Sequence, residues 1–430
     1  MRTSVLVAAV LMGASCSVQQ NDDVSAPVSL PAEVPTRPLA SSSYRLALDG
    51  LPAPGATASA TKPARVVAPP TNAALNVPPG FAVQVFADGL SGPRTMKNTP
   101  EGDVLVAESR QGRLVVLRDA DGDGVVEART TVATADNNLN NPFGLAFVDG
   151  VLYVGSEDRL TRHAWNGGQP LNGPGVKLSD LQSGHTTVGG GHWTRDVLAA
   201  PDGQSLYVAI GSRSNVDTTR EAGRALVLRV GLDGTILGPY ATGLRNPVAL
   251  ALHPTTGDLY TVVNERDGLG DDLVPDFATR VVPGAFYGWP YAYLAPNRLD
   301  PRRMSGGRSE RPDLAARTAT PDVLLEAHAA ALGLAFYTGT AFPASYRGGL
   351  FVAMHGSWNR SSAHGYKVVF LPMNGSRLDG VYADFLTGFV LDPDGPTTWG
   401  RPVSLLVRPD GSLLLSEDGN GRIYRISYRG

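Results

Sequence analysis

His192 is the residue in this chain best suited to move a proton, because an imidazole titrates near neutral pH. It lies in Gly191-His192-Trp193-Thr194-Arg195, just before the apolar run Val197 to Ala200. Gly243-Leu244-Arg245-Asn246-Pro247 puts an obligate cation and an amide on a similar Gly/Pro turn, before Val248 to Leu252. Trp399-Gly400-Arg401-Pro402 repeats the phrase before Val403 to Val407, and Asn140-Asn141-Pro142 repeats it with amides. Polar groups at one phase of a repeat converge if the repeats form a ring. The chemistry such a cluster offers is proton abstraction by His192 beside charge held by Arg245, Asn246 and Arg401.

Three further stretches carry reactive side chains. Asn264-Glu265-Arg266-Asp267-Gly268-Leu269-Gly270-Asp271-Asp272 gathers carboxylates on a Gly-flexible loop. It suits either Ca²⁺, with Glu265, Asp271 and Asp272 as hard oxygen ligands, or a solvated acidic turn. Gly284-Ala285-Phe286-Tyr287-Gly288-Trp289-Pro290-Tyr291 is aromatic; Trp289 either stacks on a flat ligand or packs beneath the loop. His355-Gly356-Ser357-Trp358-Asn359-Arg360 is polar and follows a strand, with Lys367 shortly after. Asp119, Asp121 and Asp123 alternate as in a calcium loop, but Thr130 stands where an EF-hand needs Glu, so a tight hairpin turn is the plainer reading. There is no Gly-x-Ser-x-Gly elbow, no phosphate loop and no dinucleotide fingerprint after a strand.

These residues need a repeating β-framework to bring them together. The 430 residues include 50 glycines and only 7 % aromatics, which favours short strands and turns over long helices. From Met96 a unit recurs: a Gly/Pro/Arg/Asn turn, an apolar strand, a Gly turn such as Asp149-Gly150 or Asp410-Gly411, a second strand, a polar loop and a third strand. Its period of roughly 50 residues is the blade scale of a propeller. The reading is an all-β, six-bladed β-propeller with loop insertions over residues 73–430. Phe81 to Phe86 would complete the last blade and close the ring, which removes free sheet edges. A short helix is expected between Pro312 and Ala331, after Pro321. Residues 1–16 read as an export signal: Arg2, then the short apolar run Val5 to Met12, then Gly13-Ala14-Ser15 before the single cysteine, Cys16. They resemble a lipoprotein signal in which Cys16 is lipidated, which places the chain in a bacterial periplasm or on the outer membrane. Residues 17–72 are Pro/Ala/Ser-rich and read as a disordered tether. The net charge of -3 argues against a nucleic-acid partner.

Five phrases in order resemble the glucose/sorbosone dehydrogenase family, most closely its L-sorbosone dehydrogenase-like branch. They are His192 to Arg195, Gly243 to Pro247, Asn264 to Asp272, Tyr287 to Pro290 and His355 to Arg360. The resemblance implies a periplasmic propeller that uses pyrroloquinoline quinone (PQQ) and Ca²⁺ to oxidise an aldose or sugar aldehyde. It makes His192 the general base and puts Arg245 and Asn246 beside the quinone carbonyl. Asp271 and Asp272 then sit in the calcium loop, and Arg401 meets a cofactor carboxylate. PQQ carries three carboxylates, so Arg360 and Lys367 join Arg245 and Arg401 as candidate cofactor cations, with Asn359 and Trp289 as further contacts. Leu139-Asn140-Asn141 departs from the Gln-Gly-Gly of glucose-oxidising members. No haem motif is present, so electrons would pass to an external acceptor, a cytochrome or the quinone pool. Two other classes fit a propeller with a polar mouth: a Ca²⁺-dependent lactonase or esterase, and a non-catalytic envelope binding module.

Overall fold

A computed structural model describes residues 33–181, 191–219 and 221–430. The export signal and Cys16 lie outside the described residues. Alternating apolar and polar residues make antiparallel strands, and Gly-containing turns join them into four-stranded meanders. At Asp149-Gly150 both residues take positive φ, 49° and 75°, the backbone a two-residue hairpin requires.

Among the described residues five such four-stranded sheets and one five-stranded sheet are present. Their first strands are Met96–Asn98, Gly144–Val148, Val197–Ala199, Pro247–Leu252, Ala331–Phe336 and Pro402–Val407. Each first strand neighbours the next, and Pro402–Val407 returns to Met96–Asn98, so the inner strands form a closed ring. The molecule is a β-propeller. Phe81–Ala87 pairs antiparallel with Arg422–Tyr428 and completes the last sheet, as the sequence predicts. The core lies between sheets. Leu105, Ala107, Leu114 and Val116 of the first sheet pack on Leu145, Leu152 and Val154 of the second, all essentially inaccessible.

Two expectations are corrected. After Pro321 the chain forms the strand Val323–Ala327, outermost in the fourth sheet, and the helix is a single turn, Pro312–Ala315. Val323, Leu324 and Leu325 are buried, and that apolar run finds more cover as a sheet edge than as a short helix. Nor is the described part of the expected tether free chain. Glu33–Val34 pairs with Phe81–Ala87, Thr36–Pro38 runs parallel to Leu75–Val77, and Arg65–Val66 runs parallel to Thr397–Thr398. Val34, Ala73, Leu75 and Val77 enter the core of the fifth and sixth sheets.

Candidate active site

Residues that precede the first strands of the first, third and fourth sheets meet at one mouth of the central channel, joined there by Leu332 and His355 of the fifth. Arg94, His192, Trp193, Asn246, Leu332 and His355 are among those lining a cavity of about 190 Å³. Its floor is an apolar plug, one side chain from each of four first-strand regions: Phe143, Val248, Leu332 and Val403.

His192 is oriented from two sides. Its carbonyl accepts from Arg195 at 3.0 Å and from Arg224 at 2.7 Å. Its Nδ1 lies 2.8 Å from the Ser212 carbonyl and 3.1 Å from Ser212 Oγ. A carbonyl only accepts, so Nδ1 carries the proton and Nε2 keeps its lone pair. Burial first, then the positive charge of Arg245, lowers the imidazole to about 3, so it is neutral at physiological pH. Gly211 makes this packing possible: a Cβ there would lie 2.2 Å from Asn246 Oδ1 and 2.6 Å from His192 Cβ.

Arg245 sits beside His192, but its donors are committed to the protein. They reach Asn215 O and Oδ1 at 3.3 and 3.1 Å, the carbonyls of Asn264 and Glu265 at 3.3 and 2.6 Å, and Asp267 Oδ2 at 3.0 Å. Burial raises the Asp267 carboxyl, but Arg245 and then His328 outweigh it and hold the group below the usual range. Asn246 donates to Asn264 Oδ1 at 3.2 Å, and its own Oδ1 is buried with no partner. Trp289 is buried under the loop, its indole donating to Asn215 O at 2.8 Å, so it buttresses Arg245's anchor.

A second cationic cluster lies against the mouth: Arg94 and His355 line the cavity, and Arg401 stands behind them. Arg401 reaches only the carbonyls of His355 and Gly356, each at 3.4 Å, and lies over the Tyr366 ring. Arg94 lies 5.4 Å from the Trp193 ring centroid and pairs with Asp418. His355 Nε2 donates to the same carboxylate at 2.8 Å. Burial would raise Asp418, but His355, Arg94 and Arg401 overcome it and drive the group well below the usual carboxylate range. A carboxyl depressed in the fold stabilises above its unfolded pKa of about 4, and that stability is lost as pH falls below it. Asp418→Asn is therefore expected to cost about 3–5 kcal/mol at pH 7 and less near pH 2, where the unfolded carboxyl is protonated but the folded one is still ionised. Denaturant melts at the two pH values check this.

The other expected site residues are placed elsewhere. Asn359 joins the Gly268 amide to the Ala60 carbonyl. Arg360 binds His364 Nδ1 and Asp272, and Lys367 sits between Glu326 and Asp384; neither lines the His192 cavity. The expected calcium set is not assembled. Asp271 accepts from Ser361, Asp272 is taken by Arg360, and Glu265 is buried against Arg266. Each carboxylate found a nearer cation or donor. Asn141 is held by Glu157 rather than by the cavity. Among the described residues only Asp119, Asp121, Asp123 and Glu127 bring carboxylate oxygens within 4.8 Å of one another, on an exposed turn where they also accept backbone N–H groups. Sequence reasoning missed Arg94, Ser212, Asn215 and Asp418, and named His355 only as the start of a polar phrase, without a role. For Arg94 a signal existed, since Gly92-Pro93-Arg94 is the same punctuated phrase one sheet earlier.

The same β-propeller fold is found in solved structures of PQQ-dependent sugar dehydrogenases. The TrAA12-like family profile matches residues 75–276 and 309–429, and the chain belongs to that family. It is 28% identical over 367 residues to an uncharacterized protein of Borreliella burgdorferi, covering 82% of this chain and 91% of that protein. It is 25% identical over 425 residues to the pyrroloquinoline quinone-dependent pyranose dehydrogenase of Coprinopsis cinerea, covering 84% of this chain. That match spans about half, 55%, of the fungal protein. The holo form of the PQQ domain of Coprinopsis cinerea pyranose dehydrogenase has the same fold, with a TM-score of 0.67 at 22% identity over 84% of this chain and 98% of that one.

Proposed function

We propose that this chain is a PQQ-dependent dehydrogenase with a six-bladed propeller, oxidising an aldose or a sorbosone-like sugar aldehyde. The observation that carries the reading is the pairing of a neutral His192, its Nε2 lone pair without a partner among the described residues, with Arg94 in the same cavity. The residues suit a planar polyanion. Arg401 is half-buried, its guanidinium held among the described residues by two long contacts and the Tyr366 ring, and Asn246 Oδ1 is an orphaned acceptor. Arg94, Arg401, Asn246 and Trp193 would hold PQQ. When bound, PQQ supplies the hydride acceptor.

His192 Nε2 takes the proton from the sugar hydroxyl or aldehyde hydrate, while Nδ1 stays fixed on Ser212. Negative charge beside the imidazole offsets Arg245 and raises the base back toward the range where general bases work well. Arg245, locked in place by Asn215 and Asp267, contributes a fixed positive field that favours developing negative charge. The plug of Phe143, Val248, Leu332 and Val403 keeps channel water from the reacting carbon. Glu265, Asp271 and Asp272 do not fit a calcium site, and no step is derived through the metal.

Electrons would leave to an external cytochrome or quinone. Export to a bacterial periplasm with lipid attachment at Cys16 belongs to the same proposal, and Cys16→Ser should release the chain from membranes into a soluble fraction. Titration of the apo-chain with PQQ, followed by tryptophan fluorescence, tests the cofactor. Saturable quenching is expected, and its absence would return the chain to the binding-module reading.

A further inference from the structure

The stretch 55–67 lies outside the family-matched residues, which begin at 75, and it is built onto the rim of the candidate site. It crosses three sheets in turn. On the fourth-sheet loop, the Gly55 amide donates to Leu269 O at 2.8 Å. Thr57 Oγ1 and Ser59 Oγ accept from the amides of Asp271 and Gly270 at 2.8 and 3.1 Å. On the fifth-sheet loop, Ala60 O accepts from Asn359 at 2.7 Å and the Lys62 amide donates to Trp358 O at 2.7 Å. Arg65–Val66 runs parallel to Thr397–Thr398 in a small separate sheet just before the sixth, and at the sixth sheet Val67 O accepts from Asn420 at 2.9 Å.

The loops so tied are those that carry the site. The Gly268 amide is bound by Asn359, next to Asp267, which pairs with Arg245. His355 and Gly356, whose carbonyls touch Arg401, precede Trp358. The segment therefore lies one residue shell outside both cation clusters. Among the described residues it bonds to nothing in the first three sheets, so it walls one half of the mouth and leaves the other half open. Its exposed residues include Ala56 and Ala58 but also Pro63, Arg65 and Val66, and the hydroxyls of Thr57 and Ser59 face the loop. It is held by hydrogen bonds along its length and, at its end, by Ala64 and Val67 packed against the core.

We propose that residues 55–67 form a specificity-determining collar, which admits free monosaccharides and chain ends to the mouth and excludes saccharides that would lie across it. The proposal rests on the sugar-oxidising reading. A bound oligosaccharide extends beyond the ring being oxidised, and over the fourth to sixth sheets the collar occupies the space its next units would need.

Two full-length variants test it: Thr57→Val with Ser59→Ala, which removes both hydroxyl anchors, and a Gly-Ser-Gly-Ser insertion between Ala60 and Thr61, which slackens the strap. The kcat/KM for an oligosaccharide relative to its monosaccharide should rise about ten-fold or more in both, with the monosaccharide value within about two-fold of the parent. An unchanged ratio in both variants overturns the collar. If the parent oxidises no sugar at all, the sugar-oxidising reading falls and labelling decides the collar. His192→Cys in a Cys16→Ser background is reacted with N-ethylmaleimide and with a long maleimide-polyethylene glycol. Loosening should speed the long reagent and not the small one; equal rates in parent and variants overturn the proposal.

Discussion

His192→Ala is expected to fold, to bind PQQ with affinity close to the parent's, and to turn over about 10²–10⁴-fold more slowly. The reasoning is local. Among the described residues the imidazole's only hydrogen bonds go to Ser212, so no other described cavity residue depends on it for position. Its carbonyl, which Arg195 and Arg224 grip, survives the substitution. The cations Arg94 and Arg401 are untouched, so anion binding persists. His192→Gln, which can copy the Nδ1 contact but cannot take a proton, should be as slow as alanine. Single-turnover reduction of bound PQQ separates the chemical step from binding. Loss of PQQ binding in His192→Ala would show that the residue holds the cofactor and is not the base.

Arg245→Ala is expected to lose both stability and rate. The side chain is 7% exposed, and its pairing with Asp267 binds the loop of the fourth sheet to Asn215. Removing one member of a largely buried pair leaves the other uncompensated and costs about 3–5 kcal/mol. The rate should fall about 10²–10³-fold with little change in KM, because a fixed field acts on charge that develops during reaction. A third readout isolates the electrostatic role: Arg245 lowers His192, so its removal should move the His192 titration up from about 3. NMR titration of the imidazole checks the direction. A His192 titration that stays in place would mean the field of Arg245 does not reach the base.

The ring was legible because its information is periodic. Apolar first strands, Gly turns such as Asp149-Gly150 and the lone strand Phe81–Ala87 follow from alternation and closure, and they recur in the structure. His192 and Asn246 were legible as cavity residues for the same reason, since phase in a repeat fixes position on a ring. The acidic loop was misread because charge composition cannot say which cation a carboxylate will meet. Arg360 and Ser361, some ninety residues away in sequence, claim Asp272 and Asp271. Lys367 looked like a site cation and is spent on Glu326 and Asp384. The stretch 33–72 was misread because Pro, Ala, Ser and Thr without apolar periodicity resemble free chain. Much of its order comes from hydroxyls and carbonyls that meet loop amides, and no hydropathy pattern records those contacts.

The measurement that bears most directly on the proposal is dye reduction by the purified chain, with and without PQQ and Ca²⁺, across aldoses, sorbosone and related aldehydes. The expected result is reduction that requires PQQ, depends on one class of sugar or aldehyde, and disappears in His192→Ala. Reduction that persists at the parent rate in His192→Ala would contradict the assignment of the base. No reduction with any of these compounds, in a chain shown to bind PQQ, would contradict sugar oxidation itself.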